Sequence, residues 1–123
     1  MTRFESRSIR RFCISAVFLP LSFPAWASSG WTDAGVISSL EQDPASSGST
    51  SLDVFVVVAV SVNPSSCSTP TGFYFSVSDD RTKRLFAMLM GAQLAGRPVR
   101  IYTTGNCHTV GYSELDGVQL APP

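Results

Sequence analysis

The chain has 123 residues, 44% of them hydrophobic, and its nine basic residues match nine acidic ones for a formal net charge of zero. A chain of that length makes one domain with a small core. The balanced charge, with a single histidine, provides no basic stripe of the kind that non-specific phosphate binding requires.

The first segment reads as an export signal. Arg3, Arg7, Arg10 and Arg11 form a basic leader, residues 12–23 are mostly apolar, and Ala25-Trp26-Ala27 has the small-x-small pattern that signal peptidase accepts. A signal peptide over residues 1–27 is expected, cleaved after Ala27 on the general secretory route, with the mature chain periplasmic or secreted. Pro20, Ser22 and Pro24 interrupt an apolar run already shorter than the roughly 20 residues of a spanning helix. No membrane span is expected after cleavage. Residues 28–123 then carry Arg81, Lys83, Arg84, Arg97 and Arg100 against eight carboxylates, a formal charge of −3, which argues against nucleic acid as a partner. Cys13 leaves with the signal. Cys67 and Cys107 remain as an even pair in an oxidising compartment, and a disulfide between them is expected. Its loop of about 40 residues stabilises the fold by roughly 4 kcal/mol on the loop-entropy model.

Along the mature chain, a polar lead holding Trp31 is followed by GVISSL at residues 35–40, a short first strand. Residues 41–50 have turn and linker composition and predict an exposed loop. Residues 52–62, LDVFVVVAVSV, are the clearest strand, so continuously apolar that both faces are expected to be covered. NPSSCSTPTG then forces a turn with Cys67 in it, and FYFSV at residues 73–77 returns as a hairpin partner. Asp79 and Asp80 can accept from free amides of a first helical turn, so a helix is predicted from about Arg81 to Ala95, stopped by Gly96 and Pro98. Leu85, Met88, Leu89 and Ala92 form its buried stripe, which leaves Phe86 and Met90 without an obvious place inside one small domain. VRIYT at residues 99–103 alternates as a half-buried strand, TGNC turns the chain, and GVQL at residues 117–120 is the last strand. The expected fold is mainly β with one helix: about five short strands in a partly closed barrel, the helix between strands 3 and 4.

LFAMLMGAQLAGRPVRIYTTGNC at residues 85–107, with NPSSC at 63–67 and GVISSL at 35–40, resembles small exported proteins that share a fold with the binding (B) subunits of subtilase cytotoxin and typhoid toxin. Leu85, Met88, Leu89, Ala92, Ala95, Gly96, Arg97, Val99 and Cys107 occupy the places of that family's helix, strand and glycine-cysteine turn. The resemblance implies an oligonucleotide/oligosaccharide-binding (OB) fold, pentameric rings and a glycan pocket on each subunit. It puts the toxins' sialic-acid-contacting serine on Asp33, or on Thr32 one residue earlier. A carboxylate at Asp33 would repel the carboxylate of sialic acid.

Chemistry-bearing constellations are sparse. Cys107-His108 could form a thiolate–imidazole pair or a zinc ligand set, but neighbours on an extended chain point to opposite faces and an exported thiol is usually oxidised. Glu114 and Asp116 read as solvated turn residues. No catalytic residue, metal or cofactor is expected, and the function expected is noncatalytic binding of a glycan or a protein surface. Trp31, Thr32, Asp33, Tyr74 and Tyr102 are the candidate ligand contacts, the rings through sugar stacking, while Phe86 and Met90 are the candidate surface of a homo-oligomer, pentameric by resemblance. The alternative is a periplasmic structural or interaction protein on the same scaffold with no sugar site.

Overall fold

Alternation of apolar and polar residues on two neighbouring strands sets the frame. The computed structural model describes residues 28–43 and 52–123. The predicted signal peptide and most of the predicted loop at 41–50 lie outside the described residues. Within them run β1 (Gly30–Trp31), β2 (Ile37–Gln42), β3 (Leu52–Val58), β4 (Gly72–Val77), α1 (Asp80–Ala95), β5 (Val99–Cys107) and β6 (Ser113–Leu120). The strands make one mixed sheet in the order β1-β5-β6-β4-β3-β2, antiparallel throughout except for the parallel pair β4 and β6.

The fold is therefore mainly β with one helix, as the sequence predicts, but it has six strands among the described residues rather than five and is not closed into a barrel. The extra strand is β1, whose Gly30 and Trp31 pair with Thr103 and Tyr102 of β5. Two residues carry no period of their own, so only the partner strand makes them a strand. β1 and β2 are the two ends of the sheet, yet they are consecutive in the chain. The link between them holds to β5 through a Gly35–Val99 bridge and to the end of β3 through the Ala59 amide, which donates to the Val36 carbonyl at 3.0 Å. Gly35 is required there, because a Cβ would run into the Ala59 carbonyl.

Val54, Val56 and Val58 of β3 point inward and meet Phe73, Phe75, Leu89, Val99, Ile101 and Leu115 in one core. The opposite face of β3 is half-buried rather than covered, which corrects the two-sided expectation: Asp53, Phe55 and Val57 occupy it. β5 continues past Thr103 to Cys107, with Gly105 at φ 92 and an irregular register, so TGNC extends the strand before the turn. β6 begins at Ser113, and Glu114 and Asp116 are strand residues rather than turn residues.

Asp79 caps α1 by accepting from the Thr82 amide at 2.8 Å, and the Thr82 hydroxyl accepts in return from the Asp79 amide at 3.1 Å. Gly96 ends it at φ 64, a left-handed position that glycine adopts without strain. Leu85, Leu89 and Ala92 face the sheet as predicted. Met88 does not, being exposed like Met90, while Phe86 finds a half-buried place against the core. No helix among the described residues is long and apolar enough to cross a membrane. Cys67 and Cys107 form the expected disulfide, with Cα atoms 5.6 Å apart, and it ties the turn before β4 to the end of β5.

Candidate functional site

Because inward and outward residues alternate, the core-facing set of the sheet fixes what the outer face presents. Glu41, Phe55, Tyr74 and Glu114 lie opposite one another in a row across β2, β3, β4 and β6. Thr104 of β5 extends the row: its hydroxyl donates to Glu114 Oε1 at 3.3 Å, and the Tyr74 hydroxyl donates to Oε2 at 3.3 Å. Burial first, and the nearby Glu114 charge second, raise the Tyr74 hydroxyl above its ordinary pKa, so it remains a donor. Asp53 accepts from the Ser76 hydroxyl on the next row.

A turn folds over these residues. The His108 amide donates to the Tyr112 carbonyl, the Thr69 amide donates to the Gly111 carbonyl, and Gly111 takes φ 87 to close the turn. The His108 ring stands edge-on to Phe55 at 5.4 Å and to Tyr74 at 4.8 Å, and Tyr112 is edge-on to Phe55 at 5.6 Å. Gly72 makes room for this arrangement, since a Cβ there would meet the Tyr112 ring at 2.8 Å. The disulfide at Cys107 roots the turn, so four half-buried rings are held in place outside the core.

Beside them the sheet opens. The parallel ladder between β4 and β6 lasts only from Phe73–Ser113 to Tyr74–Glu114. Beyond it lies a cavity of about 230 Å³, lined by Tyr74, Ser76, Arg81, Glu114 and Asp116, with the buried Phe75, Leu85 and Leu115 as apolar walls. Arg81 reaches across from α1, donating to Asp116 Oδ1 at 2.9 Å and to the Asp116 carbonyl.

The predicted ligand residues fall in two places. Trp31 and Tyr102 meet edge-on at 5.4 Å on β1 and β5; the indole is 42% exposed and reaches over Gly117, with the Arg100 guanidinium 5.9 Å from its ring centre. Tyr74 belongs instead to the ring cluster of β3, β4 and the 108–112 turn. Thr32 is 1% exposed, and its hydroxyl is used inside the fold, accepting from the Ile101 amide and donating to the Asp33 carbonyl. The Asp33 carboxylate accepts from the Ser61 amide at 3.0 Å and the Val62 amide at 2.9 Å, bonds that hold it below the usual carboxylate range. It is thus a clamp on the chain leaving β3 rather than an unpaired charge.

Phe55, His108 and Glu114 were not among the predicted contacts, whereas Tyr112 is one of the rings the sequence offers for sugar stacking. The alternation of residues 52–58 was the available signal for Phe55; nothing local brings His108 onto it. With its sulfur in the disulfide, Cys107 offers His108 no thiolate partner. Comparison with family models, with curated proteins and with solved structures returns no match.

Proposed function

We propose that the protein is an exported, noncatalytic binding domain that takes a glycan on the outer face of its sheet. The observation that carries this reading is the set of four rings, Phe55, Tyr74, His108 and Tyr112, held together outside the core by a disulfide-rooted turn. Such rings give a sugar apolar surface for its C–H face, and the Glu114 carboxylate beside them accepts hydroxyl protons. The topology supports an OB-like assignment. If β1 and β2 are the two arms of one bent strand, the order becomes that of a partly open five-stranded Greek-key barrel with the helix after its third strand. Ligands of OB folds occupy the face of strands 2 and 3 and the loop between the last two strands. Those correspond to β3, β4 and the 108–112 turn, where the rings are. The resemblance of residues 85–107 to toxin B subunits agrees with this reading and adds the proposal of a ring of copies.

A glycan array probed with labelled mature protein tests it. Neutral glycans are expected to be retained above sialylated ones, and His108→Ala is expected to weaken retention about tenfold, the worth of one good contact, while the chain stays folded with its midpoint lowered only by the loss of the edge-on contacts to Phe55 and Tyr74. An array blank for every glycan overturns the reading. The interaction-protein alternative draws on a different observation: Met90 and Leu94 stand 42% and 85% exposed one turn apart on α1.

A further inference from the structure

We infer that the cavity between β4 and β6 is a subsite for one neutral pyranose ring, the terminal residue of a glycan that continues over Phe55 and His108. This rests on the reading of the outer face as the ligand face and adds which part of it selects the sugar. Size is the first argument: about 230 Å³ is below the roughly 300–1,000 Å³ of sites for drug-sized ligands, so the cavity holds one ring and not a chain. Charge is the second. Arg81 and Asp116 neutralise each other at 2.9 Å, and Glu114 is already bonded by two hydroxyls. With Arg81 spent on Asp116, the Glu114 carboxylate leaves the lining one charge negative, so an entering anion is repelled, whereas a neutral polar molecule meets no such penalty. The third argument is the distribution of polarity. Leu85 and the Tyr74 ring offer apolar surface, while Ser76, Arg81, Glu114 and Asp116 place donors and acceptors around it. A pyranose divides in the same way, with C–H groups on its faces and hydroxyls at its edge. Ser76 and the Arg81–Asp116 pair stand at the mouth, exposed, so a ring can enter without opening the core.

Amide chemical shifts of the full mature protein, titrated with methyl glucoside, galactoside and mannoside, test the inference. At least one is expected to shift the Tyr74, Ser76, Arg81, Glu114 and Asp116 amides together. Arg81→Ala, which removes a donor, is expected to weaken that binding about tenfold, and Ser76→Leu, which fills the mouth, to abolish it. Both sites are exposed, and an unchanged thermal midpoint shows that neither variant acts by unfolding. Shifts confined to Trp31, Tyr102 or Phe55 overturn the subsite and leave the glycan-binding reading standing, as does no pyranoside response alongside a positive glycan array. Blank results in both experiments overturn both. A methyl sialoside that shifts the same amides more strongly than the neutral sugars overturns the argument from charge.

Discussion

A carboxylate near a candidate ligand site has two uses, and its bonds decide between them. Asp33 spends both oxygens on the Ser61 amide, and one on the Val62 amide as well, so its effect on the fold is to fix the chain where β3 ends. Those amides lower its pKa in the folded protein, and the sign of the pH dependence follows: the clamp contributes stability above the ordinary value of 3.8 and loses it as pH falls through the lower folded value. Asp79 behaves likewise through the Thr82 amide and hydroxyl. In Asp33→Asn the side-chain oxygen still accepts but carries no charge to titrate. Its thermal midpoint is expected to lie below wild type at neutral pH and to converge toward wild type in acid. Melts followed by circular dichroism across the acid range read this directly; parallel curves would show that the charge of Asp33 contributes nothing. The same position governs what can bind nearby, since Thr32 is sealed and Asp33 is occupied, which leaves Trp31 and Tyr102 as the accessible part of that segment.

Among the elements, the Cys67–Cys107 bridge joins stability to the proposed binding face. It closes a sequence separation of 40 residues, and the loop-entropy model assigns such a closure roughly 4 kcal/mol, an upper figure because residual structure in the unfolded chain reduces it. It also anchors the first residue before the turn that carries His108 and Tyr112 onto Phe55 and Tyr74. The Cys67→Ser/Cys107→Ser double variant is expected to lose about 2–4 kcal/mol in urea unfolding and to weaken retention on neutral glycans more than an equally destabilising core change such as Leu89→Ala. Equal losses would make the bridge a staple of the fold alone. This pair was legible in the sequence because the parity of two cysteines, once Cys13 is assigned to the expected signal, needs no geometry. α1 was legible for a related reason: its cap, apolar period and stopping glycine are all local. The ring cluster was not, because its four members come from β3, β4 and a turn more than 30 residues further on, and only strand register brings them together. β1 stayed hidden for the same reason, as did the cavity, which exists because a parallel ladder ends after two pairs.

Over the whole molecule, what remains unpartnered decides how copies could meet. Phe86 packs half-buried against the core, whereas Met90 and Leu94 project one turn apart from the outside of α1, where a Cβ on Gly91 would meet nothing. At roughly 25 cal/mol per Å² of apolar area, burying these two side chains from each of two copies yields several kcal/mol. Association costs an estimated 4–15 kcal/mol in lost freedom alone. A dimer joined only by this helix face is therefore marginal, and a stable assembly needs each copy to use the helix together with a second surface. A ring provides that geometry, since every subunit then contributes two different faces and every contact repeats. The free edges of β1 and β2, at the two ends of the open sheet, are the available second surfaces. We expect an oligomer larger than a dimer by light scattering coupled to size exclusion, and its conversion to monomer by Met90→Glu and Leu94→Glu with secondary structure intact. Phe86→Glu is expected to differ from both by unfolding the chain, because that side chain belongs to the core edge. A wild-type monomer at high concentration defeats the ring, and an oligomer that survives both helix charges moves its interface wholly onto the strand edges.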